Sequence, residues 1–333
     1  MRAMVLEAPK NADENPLRLL DITTPSPDAR EIRVRVQYCG VCHTDLHIVE
    51  GELPLPKLPL VPGHQIVGVV DALGSNAHKF REGDRVGIPW LHSTDNVCRY
   101  CLSGNENLCD RAQFTGYHVN GGYAESTIVG EDFAYALPHS FSGADAAPLL
   151  CAGIIGYRSF RLSNVQKGEL LGLYGFGASA HIVLQFARYL GCEVYVLSRT
   201  PAHRELATSL GAAWVGGSDE KPPQELDAAI IFAPAGSLAV TALRAVRRGG
   251  TVAFAGITMS PIPQFKYAEI YHEKILRSVA NSTRQDALDF LELAAEVPVH
   301  TEIEVFQLEQ ANLALQKIKH SQIKGAAVLR VAT

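Results

Sequence analysis

The feature that most constrains this chain begins at Leu170. There an apolar run, LLGLYG, meets the glycine-rich turn Gly175-Phe176-Gly177-Ala178-Ser179-Ala180, a helical pattern from Ala180 to Leu190, and a second apolar run, EVYVLS. Strand, turn, helix and strand in that order form a βαβ unit, whose two strands lie parallel because the helix crosses one face of the sheet between them. The alternation continues through an expected helix at Arg204 to Leu210, a strand at Ala228 to Phe232, a helix at Ser237 to Val246 and a strand at Gly250 to Ala255. The second half is therefore expected to be α/β, a doubly wound parallel sheet with helices on both faces. Glycine at 175 and 177 permits a tight bend and lets a pyrophosphate reach the helix N-terminus, so Gly175, Phe176, Gly177 and Ala178 are expected to bind a dinucleotide. An NAD site commonly carries an acidic residue about 20 positions on. Here the strand ends Leu197-Ser198-Arg199-Thr200. A cation and two hydroxyls suit a 2′-phosphate, so Ser198, Arg199 and Thr200 favour NADP(H) over NAD(H); stacking of Arg199 on the adenine of NAD is the alternative.

The first half reads differently. Ile32 to Val36 and Ile66 to Val70 are β-formers, and Gly and Pro recur between positions 51 and 89, which predicts short strands joined by tight turns. After Ser278 come two amphipathic helical patterns, Gln285 to Ala295 and Leu308 to Lys319, and an apolar AAVLRV. That tail can extend the parallel sheet or fold back onto the first domain. A length of 333 residues implies two domains, and 47% hydrophobic with 20% charged residues describes a folded globular chain. The net charge is -5 and no run of Lys or Arg tracks a phosphate backbone, so neither nucleic acid nor an anionic membrane is expected as a partner. The N-terminal stretch MRAMVLEAPKNADENP has no continuous apolar segment of signal-peptide length, which predicts a cytoplasmic location.

Six of the seven cysteines (39, 42, 98, 101, 109 and 151) lie in the first half, which favours metal binding over a disulfide framework. Cys98-x2-Cys101-x7-Cys109 places three thiols in a polar loop, and Asp95 extends the spacing to four candidate ligands. Thiolates suit zinc, and a carboxylate oxygen can close the tetrahedron of a structural site; free thiols are the bland alternative. The second cluster is Cys42-His43-Thr44-Asp45-Leu46-His47, then Pro62-Gly63-His64 and, far along, Cys151. Two thiolates and one imidazole with a fourth position open is the ligand set of an alcohol-oxidising zinc.

GVCHTDLH, PGH, the cysteine loop, LLCAG and GFGASA occur in this order across almost the whole chain. Together they resemble the zinc-dependent alcohol dehydrogenases of the medium-chain dehydrogenase/reductase family. The resemblance implies a GroES-like β-rich catalytic domain from both termini (1–152 and 280–333) around an inserted Rossmann coenzyme domain (153–279), with the active site in the cleft. It implies a catalytic zinc on Cys42, His64 and Cys151, a structural zinc on Asp95, Cys98, Cys101 and Cys109, and Asp45 orienting His64. Thr44 would hydrogen-bond the substrate oxygen, and the proton would pass through the cofactor ribose to His47 and out to water. His43 would help hold the pyrophosphate; Ala233, Pro234, Gly256 and Ile257 would line the cofactor, with Val279 and Ala280 beside the nicotinamide. Leu53, Trp90 and Tyr123 fall where the family builds its substrate pocket, and apolar walls there favour hydrophobic alcohols.

Four positions depart from the family pattern. Gln65 replaces the usual Glu after the His ligand, Asp95 replaces the first structural Cys, Ile155 stands where many members have Thr, and Ala326 stands where many have Arg. The short interval from Cys109 to Gly121 lacks the insertion of the dimeric animal enzymes, so the resemblance implies a homotetramer of the microbial type, a dimer being the alternative. The expected activity is hydride transfer between a primary or simple secondary alcohol and a nicotinamide cofactor. A polyol dehydrogenase and a non-catalytic zinc- or redox-responsive binding protein are the competing readings.

Overall fold

The computed structural model describes residues 1–297 and 299–332. The described chain divides into two compact units: Met1–Cys151 with Ser282–Ala295 and the C-terminal segment from Thr301, and Ala152–Asn281 with Glu296–His300.

The first unit is built on a seven-stranded sheet whose long member, Glu31–Val41, alternates buried residues with half-buried or exposed ones over its first half and is buried on both faces at its end, Cys39 to Val41. It pairs antiparallel with Ile66–Leu73, Ser126–Gly130 and Ala326–Arg330. The chain's tail therefore folds back: Ala327 lies opposite Val41 and Leu329 opposite Cys39, and Ile303–Gln307 adds beyond it in parallel. The four apolar residues Ala326 to Leu329 are buried, so this strand gains more by joining the enclosed sheet than it could at an open edge. The second expected tail helix starts as a 3-10 turn, Leu308–Gln310, and continues as an α-helix, Ala311–Lys319, with Leu308, Ala311, Ala314, Leu315 and Ile318 all buried in the core of this unit.

The second unit is a six-stranded, all-parallel sheet in the order Trp214–Gly216, Glu193–Leu197, Leu170–Tyr174, Leu226–Ile231, Val246–Phe254, Ile275–Ser278. Leu170–Tyr174 is buried throughout, as a strand covered on both faces must be. The helices Ala152–Ser163, Ala178–Tyr189, Pro201–Ser209 and Ser237–Ala245 belong to this unit. Its two outer strands have no counterpart in the sequence reading. Trp214–Gly216 has three residues and Ile275–Ser278 is mostly exposed, so neither shows the apolar run that marks the inner strands. The order reverses between Leu170–Tyr174 and Leu226–Ile231, the topological switch point at whose carboxyl-end side open α/β sheets bind their ligands.

Candidate active site

Strand pairing brings the first two cluster residues together. In the antiparallel register Cys39 lies opposite Ile66, and Gly40 N donates to Gln65 O at 3.0 Å, so continuing the ladder sets Cys42 beside His64. Cys42 is also the N-cap of the helix His43–Glu50. Asp45, three residues on, accepts the Cys42 amide on Oδ2 at 2.9 Å, satisfying one of the helix's orphan donors. Its other oxygen, Oδ1, lies 3.1 Å from His64 Nδ1. Asp45 is 0% exposed and His64 1%, so both lone-pair directions of this carboxylate are committed in the interior. Because an ionised carboxylate only accepts, the His64 proton sits on Nδ1, and Nε2 points at Cys42 Sγ, 3.5 Å away.

Cys151 follows the 3-10 turn Ala147–Leu150. The Cys42 and Cys151 sulfurs and a His64 nitrogen all lie within 4.8 Å of one another. A hydrogen bond with Cys151, together with burial, pushes the Cys42 thiol well above its ordinary value. Burial disfavours charge on His64, but Asp45 and Cys42 outweigh it and raise the imidazole. A divalent cation relieves this crowding of ionisable groups, and two sulfurs with one imidazole nitrogen is a donor set that fits zinc with one position open.

The second convergence is Asp95, Cys98, Cys101 and Cys109, whose ligand atoms also lie within 4.8 Å of one another. Among the described residues, these are the two groups of three or more His, Cys, Asp or Glu that could hold a metal ion. Asp95 Oδ1 accepts the amides of Val97 and Cys98, each at 3.0 Å, and these bonds hold its carboxyl well below the ordinary range. Burial pushes the Cys101 thiol up to about 11, with Cys98, Asp95 and Cys109 adding to the shift. The loop is tied down by buried Glu106, whose Oε1 accepts Arg284 N at 2.9 Å and Arg284 Nε at 3.3 Å.

In the second unit the expected cofactor residues gather at one edge of the parallel sheet. Gly175, Ser198 to Thr200, Ala233, Pro234, Gly256, Ile257, Val279 and Ala280 each follow the carboxyl end of a strand. Gly175 adopts φ +87°, and a Cβ there would meet Ala233 at 2.9 Å, so glycine is needed for both conformation and approach at the switch point. Gly177 caps the helix Ala178–Tyr189 with open space around it, whereas Phe176 is buried. Ser198 is buried as well, and its hydroxyl accepts the Thr200 amide at 3.4 Å, so exposed Arg199 and half-buried Thr200 are the side chains this loop offers. Pro234, Ile257 and Ala280 are exposed; Val279 is buried.

Around the Cys42–His64–Cys151 cluster, Thr44 and His47 sit three residues apart on one helix and so share a face; His43, on the same helix, is exposed with its ring 6.4 Å from that of His47. The Trp90 ring meets His64 edge-on at 4.9 Å and stacks on Phe114 and Tyr117 at 5.0 and 5.8 Å. Tyr117 donates to Pro54 O at 2.5 Å, anchoring the loop that carries half-buried Leu53. Phe114 and Tyr117 escaped the sequence reading, since isolated aromatics in a turn-rich segment carry no period that marks their faces. Tyr123 corrects an expectation. It is wholly enclosed in the core against Gly63, where a Cβ would fall 2.3 Å from its ring, and it presents no wall to a substrate. Gln65 is buried with its carboxamide against Gly40, Ile155 is half-buried in the helix Ala152–Ser163, and Ala326 is a buried strand residue.

Comparison with known proteins agrees with this architecture. The model of the alcohol dehydrogenase GroES-like domain matches residues 28–139, and that of the zinc-binding dehydrogenase matches residues 180–296. A probable alcohol dehydrogenase of Mycobacterium tuberculosis is 44% identical over 337 residues, spanning 99% of this chain and 97% of that protein. An alcohol dehydrogenase of Geobacillus stearothermophilus is 36% identical over 341 residues, spanning 99% and 100%. A cinnamyl alcohol dehydrogenase structure from Sorghum bicolor is 28% identical with a TM-score of 0.89, covering 99% of this chain and 97% of that one. Similarity of this extent, running end to end through both folded units, makes the chain a member of the zinc-type alcohol dehydrogenases of the medium-chain dehydrogenase/reductase family.

Proposed function

We propose that this alcohol dehydrogenase is zinc-dependent and transfers a hydride between a primary or simple secondary alcohol, or the matching aldehyde or ketone, and a nicotinamide cofactor. The observation that carries the reading is the convergence of Cys42, His64 and Cys151 within 4.8 Å, with Asp45 holding the imidazole. Zinc held there supplies a Lewis acid that makes an alcohol oxygen easier to deprotonate and a carbonyl easier to reduce. Asp45 keeps the proton on His64 Nδ1 and so keeps Nε2 a lone-pair donor. The Thr44 hydroxyl both accepts and donates, so it can take the proton of the substrate hydroxyl, and His47, on the same helix face, takes it up next. The aromatic stack of Trp90, Phe114 and Tyr117 offers an apolar wall beside His64, which favours hydrophobic alcohols.

The four-ligand set at Asp95 supports a second, structural zinc. Exposed Arg199 supports NADP(H) over NAD(H). Ile275–Ser278, the outer strand of the parallel sheet, is largely exposed, as are Tyr267 and Tyr271; an open strand edge of this kind suits pairing with a second copy and supports a homo-oligomer, a tetramer by family resemblance. Among the described residues no helix is long and apolar enough to cross a membrane, and all seven cysteines are unpaired, which supports a reducing, cytoplasmic setting.

The test is initial-rate reduction of NAD and NADP in parallel by zinc-loaded protein with benzyl alcohol or a medium-chain primary alcohol, with Cys151→Ser as control. Turnover that disappears in the control is expected. Turnover that persists in Cys151→Ser would remove the zinc assignment.

A further inference from the structure

The helix that carries Thr44 and His47 ends in a carboxylate–imidazole pair. Its C-cap, Gly51, adopts φ +74°, and its amide donates to Ile48 O at 3.2 Å while Glu52 N donates to His47 O at 2.9 Å. This left-handed reversal turns Glu52 back over the last helical turn. The turn is fixed twice over, since a side chain at 51 would be strained by that φ and its Cβ would lie 2.9 Å from Pro9 Cβ. As a result Glu52 Oε2 stands 2.5 Å from His47 Nδ1. The His47 side chain is 14% exposed and that of Glu52 52%, so the pair runs from an enclosed ring to solvent.

An ionised carboxylate has only lone pairs to offer, so the proton shared by this pair belongs to Nδ1, and Nε2 is left as the basic nitrogen. We propose that Glu52 is the positioning residue of the proton path: it holds the His47 ring by Nδ1, selects the tautomer in which Nε2 accepts the substrate-derived proton, and connects the ring to bulk water. This rests on the reading above that His47 takes up the proton leaving through Thr44. The protons balance. One arrives at Nε2 as the substrate hydroxyl is oxidised, the Nδ1 proton passes to the Glu52 carboxylate and then to water, which leaves the ring protonated on Nε2, and the ring resets by giving that proton to water while Nδ1 takes one back through Glu52, so that one proton is released net. In carbonyl reduction the same sequence runs backwards. Without Glu52 the carboxylate contact that fixes the proton on Nδ1 is lost, and the path slows although His47 is present.

The experiment uses zinc-loaded, full-length Glu52→Ala, Glu52→Asp, His47→Gln and the Glu52→Ala/His47→Gln double variant, followed in single turnovers of alcohol oxidation so that cofactor release does not mask the step. Glu52→Ala is expected to slow the turnover about tenfold, less than the full contribution of a general base, with KM for alcohol and cofactor and the zinc content unchanged. Glu52→Asp, which keeps the charge, should recover most of the rate. Glu52→Ala should cause no further loss in the His47→Gln background, because both act through one ring. If His47→Gln slows turnover and Glu52→Ala does not, the positioning role is overturned while the relay stands. Normal turnover by His47→Gln overturns the relay and the role of Glu52 with it. A Glu52→Ala defect confined to KM, or one that adds fully to His47→Gln, also overturns the proposal.

Discussion

Asp45 performs two tasks with one carboxylate, and separating them gives a sharp test of the site. Oδ2 caps the helix through the Cys42 amide at 2.9 Å, and Oδ1 holds His64 Nδ1 at 3.1 Å, both fully buried. Asp45→Ala removes a cap, worth about 1 kcal/mol, and leaves a buried imidazole without its partner. The combined loss should reach about 3–5 kcal/mol, the range for breaking a buried charged pair from one side. Asp45→Asn is the informative variant. Its amide oxygen can still accept the Cys42 amide, so the helix start survives and the destabilisation should stay near 1 kcal/mol. Its NH2 group then faces His64 Nδ1 and forces the ring proton onto Nε2, the nitrogen that points at Cys42. Zinc affinity should consequently fall about 10- to 100-fold. Thermal unfolding reads the first effect, and zinc retained during dialysis against a competing chelator reads the second, with Cys42→Ser marking loss of this site alone. Wild-type zinc retention by Asp45→Asn, or an Asp45→Ala variant as stable as the parent, would refute the reasoning.

Two further outcomes follow from the geometry. Buried Glu131 accepts the amides of His78 and Lys79, each at 2.7 Å, and these bonds lower its pKa on folding. Its contribution is therefore complete above the unfolded value and is lost as pH falls through the lower folded value. Glu131→Gln should destabilise by about 1 kcal/mol at neutral pH and progressively less in acid, and a difference in melting temperature that stays constant down to acid pH would contradict this. Arg199→Asp should shift the ratio of kcat/KM toward NAD by about tenfold or more, as expected for loss of a charge-assisted contact and gain of a ribose acceptor; an unchanged ratio would remove the 2′-phosphate role.

Much of this protein is written in short stretches of its sequence. The apolar runs and glycine turn from Leu170 determine a strand–turn–helix unit, because periodicity and backbone freedom act over a few neighbouring residues. Cys-x2-Cys spacing and the residues from Cys42 to His47 identify soft donors and a helix start, since ligand chemistry belongs to the side chain itself. The tertiary structure decided what these pieces meet. Only the pairing of Glu31–Val41 with Ile66–Leu73 sets Cys42 against His64 and lets one Asp45 carboxylate serve both. The tail, open to two placements, joins the sheet of the first unit because its buried residues find partners there. Tyr123 lies in the core, and Phe114 and Tyr117 stack with Trp90 instead; the chemistry of an aromatic ring is the same in both places, and only packing against distant residues selects its surroundings. Glu52 reaches His47 through a left-handed glycine, a reversal that residue identity permits but does not dictate. Local sequence thus determined which chemistry is present, and long-range pairing decided where it converges, because contact between residues far apart in the chain depends on strand register and burial that no short window contains.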